Sequence, residues 1–168
     1  MADLQEIFEK LANSSKPPHS DNPFRLASRT ESGADNEEIE TAWPNVVLPV
    51  EVHSLWSVSR EAWLFEDIDF GQWGLHLLSP GGSALRTAIE QRDRPTDIRL
   101  DDIILGEFLG DSELLLYAPS EVENRRLLIV LPLDDREDWY AAGPSVGDVI
   151  QRYAETGGEK YWEQGTAR

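Results

Sequence analysis

The stretch Ile103-Ile104-Leu105-Gly106-Glu107-Phe108-Leu109-Gly110-Asp111-Ser112-Glu113-Leu114-Leu115-Leu116-Tyr117-Ala118 decides the fold. Two strand-like apolar runs, Ile103 to Leu109 and Glu113 to Ala118, flank Gly110-Asp111, a pair with the chemistry of a short hairpin turn. A third run, Leu127 to Leu131, follows a polar turn at Glu121 to Arg126, and Trp139-Tyr140 extends the series as an edge strand. Upstream, Trp63-Leu64-Phe65 and Trp73-Gly74-Leu75-His76-Leu77-Leu78 have the same character, with Gly71 and Gly74 at their connection.

Helical spacing takes over on either side of these strands. Asp35 with Glu38 makes a capping pattern before Ile39, Ala42 and Trp43, and Pro44 stops that helix. Leu48-Pro49 opens a second helix whose stripe is Val52, Leu55 and Trp56. Ser79-Pro80-Gly81-Gly82-Ser83 is a turn whose last residue caps a helix presenting Leu85, Ala88 and Ile89. Ser145 with Asp148 caps a final helix with Val146, Val149, Ile150 and Tyr153 on one face, ending near Gly157-Gly158. At the start, Asp3 and Glu6 precede Leu4, Ile7, Phe8 and Leu11 at helical spacing, and Ser14 to Ser20 has linker composition. The order predicts an α+β fold, a twisted, mainly antiparallel sheet with helices packed against it. The expected division is an N-terminal helix and flexible linker over 1–30, one domain over 31–160 and a tail over 161–168. Leu55, Trp56, Leu75, Leu77, Phe108, Leu115, Ile129, Val149 and Ile150 should form its core, with Trp73. Trp63 and Trp162 are expected at the surface.

Composition narrows the function. The 168 residues carry a formal net charge of −17, 40% apolar residues and no cysteine. Disulfides, thiolate zinc sites and thiol nucleophiles are excluded. So large a carboxylate excess disfavours direct binding to nucleic acid, whose phosphates are met by Lys and Arg clusters, and favours a basic partner. Met1 to Glu6 lacks the pattern of a signal peptide, and no apolar run approaches membrane-spanning length, so the cytoplasm is the expected compartment. The charge is regional. Residues 1–30 carry four acids and four bases, 31–69 carry ten acids against Arg60 alone, and 101–121 carry six acids and no base.

The motifs in their order resemble the SUKH superfamily, which includes the yeast Smi and Knr cell-wall-assembly regulators and many bacterial immunity proteins. The similarity covers about residues 34–156. It rests on Leu48-Pro49 opening the helix LPVEVHSLW, on GLHLLSPGGSAL from Gly74 to Leu85, on the Ile103–Ala118 hairpin with its Gly-Asp turn, and on the Ser-capped helix Ser145 to Ala154. Ser59-Arg60-Glu61-Ala62 stands where the family often has Asn-Gly. The resemblance implies a small α+β domain without catalytic residues that binds proteins. In bacteria the usual partner is a toxin domain, frequently a nuclease. The expected function is therefore an immunity protein neutralising a basic toxin, with a regulatory or scaffolding domain for an endogenous protein as the alternative. A metal-dependent enzyme is the third reading.

No phosphate-binding loop, dinucleotide fingerprint or nucleophile elbow is present, and no cofactor is expected. His19, His53 and His76 fall in a linker, a helix and a strand without metal-ligand spacing. Glu66-Asp67-Ile68-Asp69-Phe70-Gly71 fails the calcium-loop spacing. Asp101-Asp102 and Asp134 to Asp138 read as solvated loop charges, with a divalent-ion site as the alternative if the fold brings them together. The partner-binding candidates are Trp63, Glu66, Asp67, Asp69, Asp101, Asp102 and Asp111, the carboxylates forming one acidic face and the tryptophan an anchor.

Overall fold

Strands that bury every side chain need cover on both faces. In the computed structural model, which describes residues 3–16 and 22–164, β6 (Leu114–Tyr117) and β7 (Leu127–Val130) are such strands, and β5 (Ile103–Phe108) departs from them only at the half-buried Glu107. They belong to one antiparallel sheet in which each strand pairs with the next in sequence. The others are β1 (Ser15–Lys16), β2 (Leu26–Thr30), β3 (Ala62–Asp67), β4 (Leu75–Leu77) and β8 (Tyr140–Gly143). Among the described residues five α-helices complete the α+β fold: α1 (Leu4–Ala12), α2 (Asn36–Ala42), α3 (Val50–Val58), α4 (Pro80–Asp93) and α5 (Val146–Glu155). No helix among the described residues is long and apolar enough to cross a membrane. Nine of the ten expected core residues are buried, and Trp73 is half-buried.

Cross-strand partners share a face, so register assigns the cover. Leu75, Leu77, Phe108, Leu115, Tyr117, Leu127 and Ile129 lie on one face. There Tyr153 of α5 meets Phe108 edge-on, and Glu51 of α3 accepts from the Tyr117 hydroxyl. The opposite face divides. Across β6 and β7 it carries Leu114, Leu116, Leu128 and Val130, all buried and joined in the core by Ile98, Leu131 and Trp139. Across β2 to β4 it is open.

Polar side chains finish the sheet where the ladder fails. β5 carries an extra residue, Leu105, and β4 ends opposite Gly106. α4 takes over there: Ile104 N–H donates to Thr87 Oγ1 at 2.9 Å, and Ser83 Oγ donates to the Ile104 carbonyl at 2.5 Å. This reverses the expected reading of that helix. Ser79, not Ser83, is its N-cap, Ser83 and Thr87 face inward, and Leu85 and Ala88 are exposed. A second irregularity lies between β2 and β3, where Ser28 is unpaired and Phe65 adopts φ +52. The Phe65 N–H is satisfied by Ser28 Oγ at 2.9 Å. Its ring packs over Gly158, where a Cβ would come within 2.6 Å of it.

The expected boundaries shift accordingly. Leu26–Thr30, assigned to the extension, is a full strand of the sheet. α1 docks through Phe8 and Leu11 on β2, α3 and α5. The expected linker falls partly at residues 17–21 and the tail partly at 165–168, outside the described residues, as does His19. Trp162, expected at the surface, is 3% exposed and stacks on Tyr153. Trp73 is only half-buried and donates to the Gly158 carbonyl.

A buried ion pair holds the loops beyond the open ends of β5 to β8. Arg136 donates to Asp102 twice, at 2.5 and 3.2 Å, to Glu121 at 3.1 Å and to the Asp97 carbonyl at 2.9 Å. Burial acts to lower the Arg136 pKa, but its bonds to Asp102 and Glu121 prevail and hold it above the ordinary arginine value. Removing one partner strands the other's charge. Asp102→Ala is therefore expected to cost about 3–5 kcal/mol in urea unfolding, and Asp102→Leu with Arg136→Met to recover most of that loss. A single variant costing no more than an exposed pair would show that this pair does not hold the loops.

Candidate functional site

The carboxylates expected to form one face are divided between two ends of the sheet. β3 and β5 run in the same direction, so Glu66, Asp67 and Asp69 lie at the end where β5 reaches Gly110-Asp111. The two turns touch, since Leu109 N–H donates to the Gly74 carbonyl at 2.8 Å and a Cβ on Gly110 would meet Gln72 O at 2.0 Å. Asp101 and Asp102 precede β5 and sit at its other end, roughly 20 Å of strand away.

Most of them are also already engaged. Asp67 is 2% exposed and accepts from the backbone N–H groups of Asp69, Phe70 and Gln72, so it builds the turn from within. Asp102 is 1% exposed and committed to Arg136. Asp69 is forked to Arg25, whose bonds hold that carboxyl below its usual range. Asp111 accepts from Lys160 and from the Glu113 N–H. Burial lowers the Lys160 pKa, and its bonds to Asp111 and Glu113 more than restore it. Asp101 is exposed and accepts from the Ser120 hydroxyl. A single acidic face made of these residues does not exist.

Trp63 and Glu66 belong instead to the open face of the sheet. Arg29, Trp63, His76 and Glu107 stand opposite one another on β2 to β5 and form a row across the strands. The Arg29 guanidinium lies 3.6 Å from the centre of the Trp63 ring, and Trp63 stacks on His76 at 4.7 Å. Glu66 pairs with Arg29 at 3.2 Å, and His76 Nε2 is 2.6 Å from Glu61. With Arg29 on one side and His76 on the other, Trp63 is half-buried and has no free ring face to offer as an anchor.

Groups that could do chemistry are dispersed as well. Among the described residues no three His, Asp or Glu side chains converge to hold a metal ion. The nearest approach to a nucleophile, base and orienter among them is Ser57, His53 and Asn36. Ser57 Oγ is 3.3 Å from His53 Nδ1, and His53 Nε2 is 3.1 Å from Asn36 Oδ1. The Ser57 proton has a closer acceptor, the carbonyl of His53 one turn earlier, at 2.9 Å.

The surface that sequence reasoning missed is the α2–α3 corner. Val46, Val47 and Val50 are 49%, 99% and 83% exposed. Beside them α2 presents Glu37 and Glu40, both exposed and without an ion-pair partner among the described residues. Its other glutamate, Glu38, is paired with Arg60, as is Glu31. The signal lay in Pro44 to Pro49, an apolar run between two prolines that cannot continue the helix before it. No protein-family model matches the chain, and no curated protein matches it.

The two aspartates of the β3–β4 turn should separate by experiment. Asp67→Ala removes the acceptor of three backbone donors and is expected to cost about 2 kcal/mol or more in denaturant unfolding. Asp69→Asn, at the exposed pair, should leave the midpoint nearly unchanged. Equal effects would contradict the assignment of Asp67 to the turn's interior.

Proposed function

We propose that the domain acts by binding a basic protein rather than by catalysis, as an immunity protein binds the toxin domain it neutralises. One observation carries this reading. Glu37 and Glu40 are exposed on α2 without an ion-pair partner among the described residues, Glu40 beside the exposed valines, whereas the arginines and lysines of the described ion pairs are spent on other carboxylates. An apolar centre with a charged rim is the usual anatomy of a protein interface, and its acidic sign selects a basic partner. The α+β architecture agrees with the fold that the sequence resemblance implies. The half-buried Trp63 row and the partitioned acids lend this reading nothing, so its weight rests on the α2–α3 corner.

The test is capture from the native host on the immobilised chain at low and high salt, followed by identification of what is retained. The expected result is a basic protein whose retention falls as salt shortens the screening length, and whose own activity is inhibited by the captured domain. Retention of only acidic or neutral proteins, or turnover by the isolated chain of a compound it retains, would overturn the reading.

A further inference from the structure

The exposed valines do not stand alone. Val50 and Ser54 are shared by two grooves that flank the start of α3. The first, about 290 Å³, lies between α2 and α3 and is walled by Ile39, Trp43, Val46 and Leu48 with Glu40 at its rim. The second, about 610 Å³, lies where α1, α3 and the start of α5 meet, with Leu4 and Val58 as apolar walls and Asp3 and Glu51 as its acids. Three carboxylates and no lysine or arginine line the pair.

Two of the polar groups are fixed in place. Glu51 accepts from the Tyr117 hydroxyl at 3.0 Å and from the Val146 N–H at 2.5 Å, so its charge is held at one position in the groove. The Trp43 indole is oriented by its bond to the Pro80 carbonyl at 3.1 Å. A partner gains most from such a surface if it fills apolar grooves without moving them and places cations at the rim.

Resting on the binding function proposed above, we infer that this double groove is the docking face for a basic amphipathic segment of the partner protein. Large apolar side chains of that segment enter the grooves on either side of Val50. Its lysines or arginines meet Glu37 and Glu40. Charge complementarity selects this occupant, because an acidic segment would meet Asp3, Glu40 and Glu51 as like charges.

The probes are three synthetic peptides of equal length: one alternating lysine and leucine in an amphipathic pattern, its glutamate–leucine counterpart, and one with the same lysines and serine for leucine. Binding to the full chain is read by fluorescence anisotropy at low and high salt. The lysine–leucine peptide should bind tightest and the glutamate peptide not at all. Glu37→Lys with Glu40→Lys should weaken it at least about tenfold at low salt and much less at high salt. Val50→Asp should abolish binding at both. Val50 is largely exposed in the first turn of α3, where a carboxylate suits the helix end, so the fold is retained and circular dichroism checks it. Leu133→Asp with Glu137→Lys, both at exposed positions away from α2 and α3, is the control and should change nothing. An equal loss in the control, or equal binding of the serine peptide, would reduce the effect to diffuse charge and overturn the assignment. Sedimentation of the free chain as a dimer that Val47→Asp dissolves would make a second copy the occupant and would overturn it too. Lysate capture keeps the two proposals apart. A basic protein retained by the Val50→Asp variant sinks the surface and leaves the function standing, whereas peptide binding here without any basic protein captured does the reverse.

Discussion

Arg136 makes a set of bonds that no other side chain type can make at once. Five donors in a rigid plane let one residue bond the Asp102 carboxylate in a fork, the Glu121 carboxylate and the Asp97 carbonyl together. Those partners come from the segment after α4 and the loop after β6, and Arg136 itself from the loop after β7. Arg94 ties the same region, donating to the carbonyls of Leu131 and Asp134. The leucines and valine of β6 and β7 that face away from α5 depend on cover from this side. Their burial requires the loops to stay closed, and the loops are closed by polar bonds. The core of the C-terminal half therefore depends on a charge pair that would be costly to break singly.

What was legible in the sequence was local. The caps at Asp3, Asp35 and Ser145 each accept the expected backbone N–H, and the Gly110-Asp111 turn joins the strands it was expected to join. These features are encoded within four or five residues, by side chains that act on their own backbone. What escaped was set by partners far along the chain. α4 buries Ser83 and Thr87 rather than Leu85 because β4 stops short and Ile104 has backbone groups to satisfy. A hydrophobic stripe predicts the inward face only when the surface it meets is apolar, and here it is a sheet edge. Leu26–Thr30 reads Leu-Ala-Ser-Arg-Thr, without the alternation of a strand, and Ser28 becomes intelligible as the residue opposite the β3 bulge only once the positive φ of Phe65 is known.

Charge is legible in sequence as a total, and its pairing is not. Residues 31–69 and 101–121 look uniformly acidic because their cations come from elsewhere: Arg25 to Asp69, Arg29 to Glu66, Arg136 to Asp102, and Lys160 to Asp111. Exposed members of such pairs contribute little to stability, but they remove a carboxylate from the list of groups that can attract a partner. After this subtraction the α2 corner keeps its field and the β3–β4 and β5–β6 turns lose much of theirs. Arg60, the only base in residues 31–69, is shared among Glu31, Glu38 and Glu61 and forms no ion pair with Glu37 or Glu40 among the described residues.

The N-terminal helix acquires a meaning from the same geometry. α1 is held by Phe8 and Leu11, with Leu4 and Ile7 partly buried against the same core, and its first turn supplies Asp3 and Leu4 to the larger groove. Any ligand that contacts both α1 and α3 binds better when α1 is seated, so by linkage it also stabilises the seated helix. The groove proposed as a docking face and the docking of the chain's own first helix are thus one equilibrium, observed from two sides.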